Sequence, residues 1–323
     1  MMQLFKPMLA KAARLPADQE NYSYEIKWDG IRAIAYLEKK QLKLFSRNQL
    51  DITAQYPELQ QLALKHQQNS LILDGEIITF NAQGQPSFEL LQKRMNLSSA
   101  KSIQQICQTV PVTYIIFDLL ANDGRLLLEE RYTERRAKLE KLRLSGLHWQ
   151  TPAYQAGTGI TMLKATKSLG LEGIIAKRLN SPYLPGKRSG DWLKIKHIAQ
   201  QELVIGGWVE GQGKRTGTIG ALLVGYYDPA PARNRQLNYA GKVGSGFSED
   251  TLAMLKQTFR SLQRSTSPFA GPTPAGAIFI EPNLVGQFEF TEWTGNNTLR
   301  HPVFKGLRPD KDPRTVVREP APT

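Results

Sequence analysis

Hydrophobic patterning divides the chain into two parts with different predicted elements. In the first part, alternating or continuous apolar runs predict β-strands, and apolar residues three to four positions apart predict helices. The predicted strands lie within 24–37 (two strands with a turn at Asp29-Gly30), 41–45, 71–80, 112–120, 173–177 and 192–196, and the predicted helices cover 52–64, 88–95, 127–144 and 161–169. Beyond residue 202, short apolar runs separated by glycine-rich turns replace this mixture, which predicts a domain boundary near residues 197–202.

The second part has the pattern of a small β-rich domain. Strands are predicted over 203–209, 219–227, 237–243, 277–280 and 285–291, and a helix over 249–262. Ser248 precedes that helix as an N-cap, and acidic residues fill its first turn. Short strands, glycine-rich turns and one inserted helix predict a small closed β-barrel, of which the OB-fold is the commonest type that binds nucleic acid. The proline-rich tail, 319–323, is expected to be frayed.

Charge adds a candidate partner to this picture. The 323 residues contain 42 Lys and Arg against 29 Asp and Glu, a net charge of +13, so a polyanion such as nucleic acid is the expected partner. The helix predicted over 127–144 carries six basic residues on one side: Arg131, Arg135, Arg136, Lys138, Lys141 and Arg143. This basic face is either a solvated surface or a docking site for a nucleic-acid backbone.

The single cysteine, Cys107, excludes an intrachain disulfide and any zinc site built from several cysteines. The first residues lack the apolar stretch of a signal peptide, and no apolar run is long enough to span a bilayer. We therefore expect a soluble cytoplasmic protein.

Three predicted strands each place two charged side chains on one face, because side chains alternate along a strand. The pairs are Glu25 with Lys27, Asp74 with Glu76, and Lys194 with Lys196. Packed together, these strands would line a polar cleft with both signs of charge. A lysine is nucleophilic only when deprotonated, and its ordinary pKa of about 10.4 must be lowered by burial or nearby cations. Arg32, Lys194, Lys196 and a divalent metal could lower the pKa of Lys27 in this way. Alternatively, Lys27 is an exposed lysine on a strand.

Short motifs occur in order along the chain at plausible spacing. They are Lys27-Trp28-Asp29-Gly30-Ile31-Arg32, Ser46-Arg47-Asn48, Leu73-Asp74-Gly75-Glu76, Phe117-Asp118, Glu172-Gly173-Ile174-Ile175-Ala176-Lys177, Trp192-Leu193-Lys194-Ile195-Lys196 and Arg308-Pro309-Asp310-Lys311. This series resembles the ATP-dependent DNA ligases of the covalent nucleotidyltransferase superfamily. It is most similar to the ligase module of bacterial ligase D proteins and their stand-alone relatives, and the resemblance covers nearly the whole chain.

The resemblance implies an α+β fold of two domains. An adenylyltransferase (ATP-grasp-like) domain of antiparallel sheets with helices would occupy 1–198, and an OB-fold β-barrel would occupy 199–318. In such ligases the motif lysine, here Lys27, attacks the α-phosphate of ATP to form lysyl-AMP. The AMP then passes to a 5′-phosphate at a DNA nick, and the 3′-hydroxyl displaces it to seal the strand.

The same resemblance assigns further roles. At the base of ATP, Glu25 would meet the adenine edge, Phe117 would stack on adenine, and Lys177 would be an additional contact. At the sugar, Glu76 would bind the ribose hydroxyls, and Arg32 and Arg47 would lie near ribose and phosphate. Arg308 and Lys311, with Asp310 between them, would contact the departing pyrophosphate. Lys194 and Lys196 would act with Lys27 in catalysis by stabilising charge on the α-phosphate. Glu172, supported by Asp29, would hold Mg²⁺ or Mn²⁺. The alternatives are core packing for Phe117, a turn for Asp29, surface cations for the arginines and a structural role for Asp74.

The resemblance also bears on nucleotide and partners. One cysteine cannot form the four-cysteine zinc module of NAD-dependent ligases, so ATP is the expected nucleotide. Because Lys27 lies near the start of the sequence, we expect no DNA-binding domain before it. The basic helix and the barrel would then bind nicked DNA. We expect the protein to act as a monomer, with a Ku-like end-binding protein as an optional partner.

Two other functions stay open. An RNA ligase or an mRNA-capping guanylyltransferase uses the same lysine chemistry, and labelling by ATP, GTP or NAD separates these enzymes. A non-catalytic nucleic-acid-binding protein could use the barrel and the net charge alone, but it would need no ordered set of lysine, acid and aromatic residues.

Overall fold

The computed structural model describes residues 3–95, 97–197, 199–229 and 236–319. The chain forms two compact units, Met1–His197 and Ile198–Pro320. Of the tail expected to be frayed, Glu319 donates its backbone N–H to Gln201 Oε1 at 2.9 Å, and residues 320–323 lie outside the described part. Within the described residues, no helix has the length and apolar character needed to cross a membrane.

The first unit combines strands with five helices among its described residues. Its strands are β1 (Lys11–Ala12), β2 (Tyr22–Ile26), β3 (Ile31–Glu38), β4 (Gln41–Ser46), β5 (Leu71–Ile78), β6 (Thr113–Asn122), β7 (Arg125–Leu126), β8 (Trp149–Gln150), β9 (Gln155–Ala156), β10 (Gly173–Arg178) and β11 (Trp192–Lys196). Its helices are α1 (Gln60–Lys65), α2 (Phe88–Gln92), α3 (Ala100–Thr109), α4 (Tyr132–Lys141) and α5 (Gly159–Ser168).

These strands form two sheets. One has the order β1-β11-β10-β2-β9, and the other has the order β4-β3-β5-β6-β7 with β8 beside β6. The pairs β1/β11 and β6/β8 are parallel and the others are antiparallel. The expectation of antiparallel sheets is therefore confirmed, with two short parallel pairs added to them.

The predicted turn at Asp29-Gly30 carries the chain from one sheet to the other. The strand before it, β2, pairs with β10, and the strand after it, β3, pairs with β4 and β5. Gly30 lies so close to β5 that a Cβ atom would be 2.2 Å from the carbonyl oxygen of Ile77. Only glycine allows this approach, and Lys27 lies at the start of the crossing.

The sheet that contains β2 has one apolar and one polar face. Cross-strand pairing places Tyr24 beside Ala176, and Ile26 beside Ile174. This face forms an apolar cluster that also contacts residues of α5. The opposite face carries the alternate residues, including Glu25 and Lys177, as strand alternation predicts.

Two helix predictions need correction, and one helix was not predicted. The helix predicted over 52–64 is the shorter α1, because Thr53–Gln55 and Pro57–Leu59 form 3-10 turns. The helix predicted over 127–144 is the shorter α4, and two arginines of its supposed basic face, Arg135 and Arg136, are buried. Arg135 makes a two-bond ion pair with the fully buried Asp118, at 2.8 and 2.9 Å. The hypothesis that these arginines dock nucleic acid is wrong, because their guanidinium groups satisfy buried acceptors instead. Helix α3 was not predicted, since Ile103 is its one buried residue.

The second unit is β-rich. Its strands are β12 (Ala199–Glu210), β13 (Ile219–Tyr227), β14 (Leu237–Val243), β15 (Gln263–Arg264), β16 (Phe269–Ala270), β17 (Ala277–Phe290), β18 (Glu292–Trp293), β19 (Leu299–Arg300) and β20 (Val303–Leu307), and its helix is α6 (Glu249–Arg260). The predicted N-cap is confirmed, because Ser248 Oγ accepts the Thr251 N–H at 3.2 Å.

The large sheet of this unit is open. Its order is β15-β17-β12-β13-β14-β16, with β20 beside β17, and no pairing among the described residues joins the two ends. The expectation of a closed barrel is therefore wrong for the backbone pairing. The outer edges of β14 and β17 are occupied by the short strands β16, β15 and β20 instead of by each other.

Candidate active site

Lys27 lies where β2 ends, and its side chain meets the residue that precedes β10. The Lys27 backbone N–H donates to the Gly173 carbonyl at 3.0 Å, which fixes the two segments together. The Lys27 ammonium donates a hydrogen bond to Glu172 Oε2, and Lys196 Nζ lies 3.0 Å from Glu172 Oε1. The three side chains are 19%, 11% and 13% exposed in the order Lys27, Glu172, Lys196. Two lysines thus share one carboxylate in a largely buried setting.

The charges of this group set its protonation. Burial raises the pKa of Glu172, but the attraction of Lys196 and Lys27 outweighs burial and lowers that pKa to about 2. Burial lowers the pKa of Lys27, but Glu172, Asp29 and Glu76 raise it above its ordinary value. Among the protein side chains, acids and not the expected cations therefore set the direction of the Lys27 pKa. The Glu172 carboxylate has the largest raising effect on the Lys27 pKa. Sequence spacing did not place this carboxylate beside the amine.

Glu25 and Lys177 form a second buried pair on the same sheet face. Lys177 Nζ lies 2.8 Å from Glu25 Oε1 and 2.9 Å from Oε2, and the Tyr132 hydroxyl donates to Oε1. Burial lowers the pKa of Lys177, and the attraction of Glu25 opposes part of that effect. Glu25 therefore lies in the interior with its carboxylate held by two donors.

Phe117 lies at a break in strand pairing. Asp74 pairs with Asp118 while Gly75 pairs with Ile116, so Phe117 is the extra residue of a β-bulge. Arg32 Cζ and Lys177 Nζ lie 4.5 and 4.4 Å from its ring centroid. The ring is 8% exposed and packs in an apolar cluster. Both interpretations of Phe117 remain, because it is a core residue that also contacts two of the candidate ATP-binding cations.

Arg32 is held by a buried acid. Its Nε and Nη2 atoms donate to Asp74 at 2.5 and 2.6 Å, and the Tyr183 hydroxyl donates to Asp74 Oδ2 at 2.5 Å. Burial lowers the pKa of Arg32, but this pairing raises it overall. Asp74 thus has the structural role considered for it, and Glu76 lies opposite Arg32 across β3 and β5.

The remaining predicted residues are distributed as follows. Lys194 lies on β11 beside Ile175, and Arg47 is half-buried in the turn after β4. Asp29 and Glu76 act on the pKa of Lys27, which places them in its electrostatic neighbourhood. The other three, Arg308, Asp310 and Lys311, belong to the second unit.

The second-unit group has its own ion pairs. Arg308 makes a two-bond ion pair with Asp310 at 2.9 and 2.8 Å, and Lys311 Nζ lies 2.9 Å from Glu202 Oε1. Burial raises the pKa of Asp310, but Arg308 and Lys311 lower it overall. These cations are thus set in a fixed local arrangement within the second unit.

The donor set near Lys27 fits a metal that is shared with a phosphate ligand. No group of three or more His, Cys, Asp or Glu side chains suited to a metal occurs within the described residues. Glu172 is ionised and offers carboxylate oxygens, as Mg²⁺ or Mn²⁺ requires. Mg²⁺ commonly takes one or two protein carboxylates and completes its shell with phosphates and water. Glu172, with Asp29 nearby, therefore fits a substrate-bridged ion and not an all-protein cage.

Tyr132 and Tyr183 are site residues that sequence reasoning missed. They bond Glu25 and Asp74 across 107 and 109 positions of the chain. Tyr183 lies between the motifs Glu172–Lys177 and Trp192–Lys196, in a part of the chain to which no site role was assigned. Tyr132 has the helical spacing of Leu128 and Leu139, which indicates a buried position, but nothing in the sequence pairs it with Glu25.

Comparison with known proteins identifies the family. Residues 7–196 match the model of the ATP dependent DNA ligase domain, and residues 215–311 match that of the ATP dependent DNA ligase C terminal region. The chain is 39% identical over 320 residues to the multifunctional non-homologous end joining DNA repair protein LigD of Mycobacterium tuberculosis. That match covers 97% of this chain and 40% of the relative, so the chain spans less than half of the LigD protein.

Two further matches cover nearly the whole of both chains. The SPbeta prophage-derived DNA ligase-like protein LigB of Bacillus subtilis is 34% identical over 94% of this chain and 98% of its own length. The solved structure of mycobacterial DNA ligase D complexed with ATP and MES is 37% identical, covers 98% of each chain and has a TM-score of 0.70. These matches confirm the α+β fold of a nucleotidyltransferase domain followed by an OB-fold domain. The chain belongs to the ATP-dependent DNA ligase family.

Proposed function

We propose that this chain seals nicks in duplex DNA with ATP, through lysyl-AMP and a DNA-adenylate, and that it acts in DNA repair. The observation that supports this most directly is the Lys27 amine held by Glu172 beside Lys196. An exposed strand lysine would need neither a buried acid nor a second lysine. In this proposal residues 1–198 perform adenylation and residues 199–318 form the OB-fold domain.

The resting state of Lys27 is protonated, so the reaction must begin with its deprotonation. Glu172, whose pKa is lowered to about 2, is too weak a base to take that proton, and we assign it an electrostatic role. A divalent ion held at Glu172 together with the triphosphate would supply positive charge that favours the neutral amine. The Lys27 proton then leaves to solvent or to a phosphate oxygen.

The neutral amine completes the first step by in-line displacement. The Lys27 Nζ lone pair forms a bond to the α-phosphorus, the bond to the bridging oxygen breaks, and pyrophosphate leaves with that electron pair. Lys196 and Lys194 offset the negative charge that develops on the α-phosphate. Glu172 then accepts hydrogen bonds from Lys196 and no longer from a Lys27 ammonium.

The rest of the site is assigned to the nucleotide. We assign Glu25, Lys177 and Phe117 to the adenine end. Lys177 contacts both the Glu25 carboxylate and the Phe117 ring. Arg32, Glu76 and Arg47 contact ribose and phosphate. From the second unit, Arg308 and Lys311 orient the pyrophosphate, which requires the two units to close during this step.

We assign nicked double-stranded DNA as the partner of the adenylated enzyme. The relatives named for non-homologous end joining support a repair role, with a Ku-like end-binding protein as a further partner. Monomeric action and a cytoplasmic location complete the proposal.

The test is incubation of the purified protein with labelled ATP, GTP or NAD, followed by addition of nicked DNA or nicked RNA. Label from ATP that is discharged by nicked DNA is the expected result. Label from GTP alone would instead indicate capping chemistry, and discharge only by nicked RNA would indicate an RNA ligase.

A further inference from the structure

A rigid basic surface frames the candidate site of the first unit. It consists of three exposed cations on two chain segments, Lys6 on the N-terminal segment and Lys187 and Arg188 on the loop before β11. We call this set the basic ledge. Among the residues that the structure describes, no carboxylate forms an ion pair with any of the three. The acid in the same loop, Asp191, is already engaged by Ser189 and Arg178.

Backbone bonds clamp the two segments together. The Gly186 N–H donates to the Lys6 carbonyl at 3.0 Å, and the Leu9 N–H donates to the Lys187 carbonyl at 2.8 Å. The Arg188 guanidinium donates to the Ala10 carbonyl at 2.5 Å. The cations therefore project from a fixed double segment and not from mobile loops.

Buried side chains anchor the N-terminal segment to the core. Phe5 is 5% exposed and Met8 is fully buried. The Phe5 N–H donates to the Tyr36 hydroxyl at 2.8 Å, and the Met8 N–H donates to the Tyr183 hydroxyl at 2.9 Å. This anchoring keeps the charged side chains outside while the apolar ones hold the segment in place.

The N-terminal segment passes three parts of the candidate site in order. The Leu4 carbonyl accepts from Gln49, in the turn that contains Arg47, at 3.1 Å. The Met8 carbonyl accepts from Arg32 at 3.4 Å. Further on, β1 pairs with β11 at Leu193 and Lys194.

We infer that the basic ledge is the surface on which the sugar-phosphate backbone of duplex DNA beside the nick is held. This inference rests on the proposed ligase function and names the surface that replaces the supposed basic helix. An exposed, unpaired and preorganised row of cations suits an extended polyanion, because each phosphate contact releases counterions. A small nucleotide is better held by largely buried groups such as Lys27 and Lys196.

The test uses the double variant K6A/K187A in the full chain. Arg188 is retained because its guanidinium anchors Ala10. Lysyl-AMP formation from ATP without DNA is expected to stay within about twofold of the parent, because both lysines are exposed and lie outside the ion pairs of Lys27. Binding of a nicked duplex should weaken about tenfold at ~0.1 M salt, and the slope of log affinity against log salt should become shallower by about 2.

The matched control is K40A/K43A, which removes the same charge from exposed positions elsewhere in the first unit. It should bind nicked DNA like the parent apart from a small loss due to net charge. Equal losses in both variants would overturn the inference, and so would unchanged DNA binding by the ledge variant. Loss of lysyl-AMP formation in the ledge variant would show that the ledge serves the nucleotide, which also overturns it. Failure of the parent to form lysyl-AMP would instead contradict the proposed function.

Discussion

At the scale of single residues, the central feature is the competition of two lysines for one carboxylate. Glu172 holds the Lys27 ammonium and lies 3.0 Å from Lys196 Nζ. The raised pKa of Lys27 therefore favours the protonated amine. If Lys27 is the nucleophile, as proposed, a ligand that draws Glu172 away would free the amine and so link substrate binding to activation.

The first prediction concerns the titration of Lys27. In Glu172→Gln the attraction that raises the Lys27 pKa is lost while the effect of burial remains, so the pKa should fall below its parent value. Competitive labelling of lysines across a pH series, read by peptide mass spectrometry, measures it. Lys196→Ala is the control, because it leaves Glu172 to Lys27 alone and keeps the Lys27 pKa raised. An unchanged profile in Glu172→Gln would mean that Glu172 does not set the charge of Lys27.

Residue types and motif order were sufficient to nominate Lys27 and its neighbours, but not to pair them. Glu172 lies 145 positions from Lys27 along the chain, and sequence spacing alone carries no information on such a contact. For the same reason the sequence predicted that neighbouring cations lower the Lys27 pKa. The structure instead places Glu172 at the Lys27 amine, and this acid raises the pKa. Same-face placement of Glu25 with Lys177 follows from strand alternation once the pairing of β2 with β10 is known.

At the scale of elements, α4 and the crossing from β2 to β3 position the site. Most strands could be predicted, because apolar alternation reports burial directly. The extent and role of α4 could not, because its arginines look like a solvated face until Asp118 is placed beside Arg135. A pattern of charged residues does not distinguish a solvated cation from one that is paired in the interior.

The second prediction tests the structural role of α4. Arg135→Leu leaves Asp118 as a buried unpaired charge, so the free energy of unfolding should fall by about 3–5 kcal/mol. Lys141→Ala, at an exposed position of the same helix, should change it by less than about 0.5 kcal/mol. Urea unfolding measures both. A loss below about 1 kcal/mol in Arg135→Leu would refute the buried pair.

The third prediction tests the crossing. Gly30→Ala places a Cβ atom against the Ile77 carbonyl, so stability should fall by about 3 kcal/mol or more. Lysyl-AMP formation should fall about a hundredfold in the folded fraction, because displacement of the turn moves Lys27.

The control for the crossing is Gly295→Ala, where an added Cβ has no neighbour within 4 Å. It should match the parent in both thermal unfolding and adenylation. Normal adenylation by Gly30→Ala would show that Lys27 is positioned independently of this turn.

At the scale of the whole molecule, the residues to which we assign the chemistry belong to two units. Lys27 belongs to the first unit, and Arg308 and Lys311 belong to the second. With this division, a substitution in the second unit can impair lysyl-AMP formation without impairing the sealing of the DNA strand. Sequence order alone predicted this two-part organisation, but it predicted a closed barrel where the strand pairing is open.

The fourth prediction separates these steps. Under the proposed function, Lys311→Ala should reduce lysyl-AMP formation from ATP about a hundredfold, because a cation assigned to the pyrophosphate is lost. Sealing of a DNA strand that already carries AMP at the nick should be largely retained. Lys305→Ala, which removes another paired lysine of the same unit, should affect neither reaction. Equal loss of both reactions in Lys311→Ala would contradict a role specific to adenylation.

The central claim is that Lys27 becomes covalently attached to AMP. The most direct measurement is peptide mass spectrometry of the purified protein after incubation with ATP and Mg²⁺, beside Lys27→Ala treated in the same way. We predict a single AMP adduct on the peptide that contains Lys27, discharged by nicked DNA and absent from Lys27→Ala. An adduct on another lysine, or an adduct that persists in Lys27→Ala, would contradict the account.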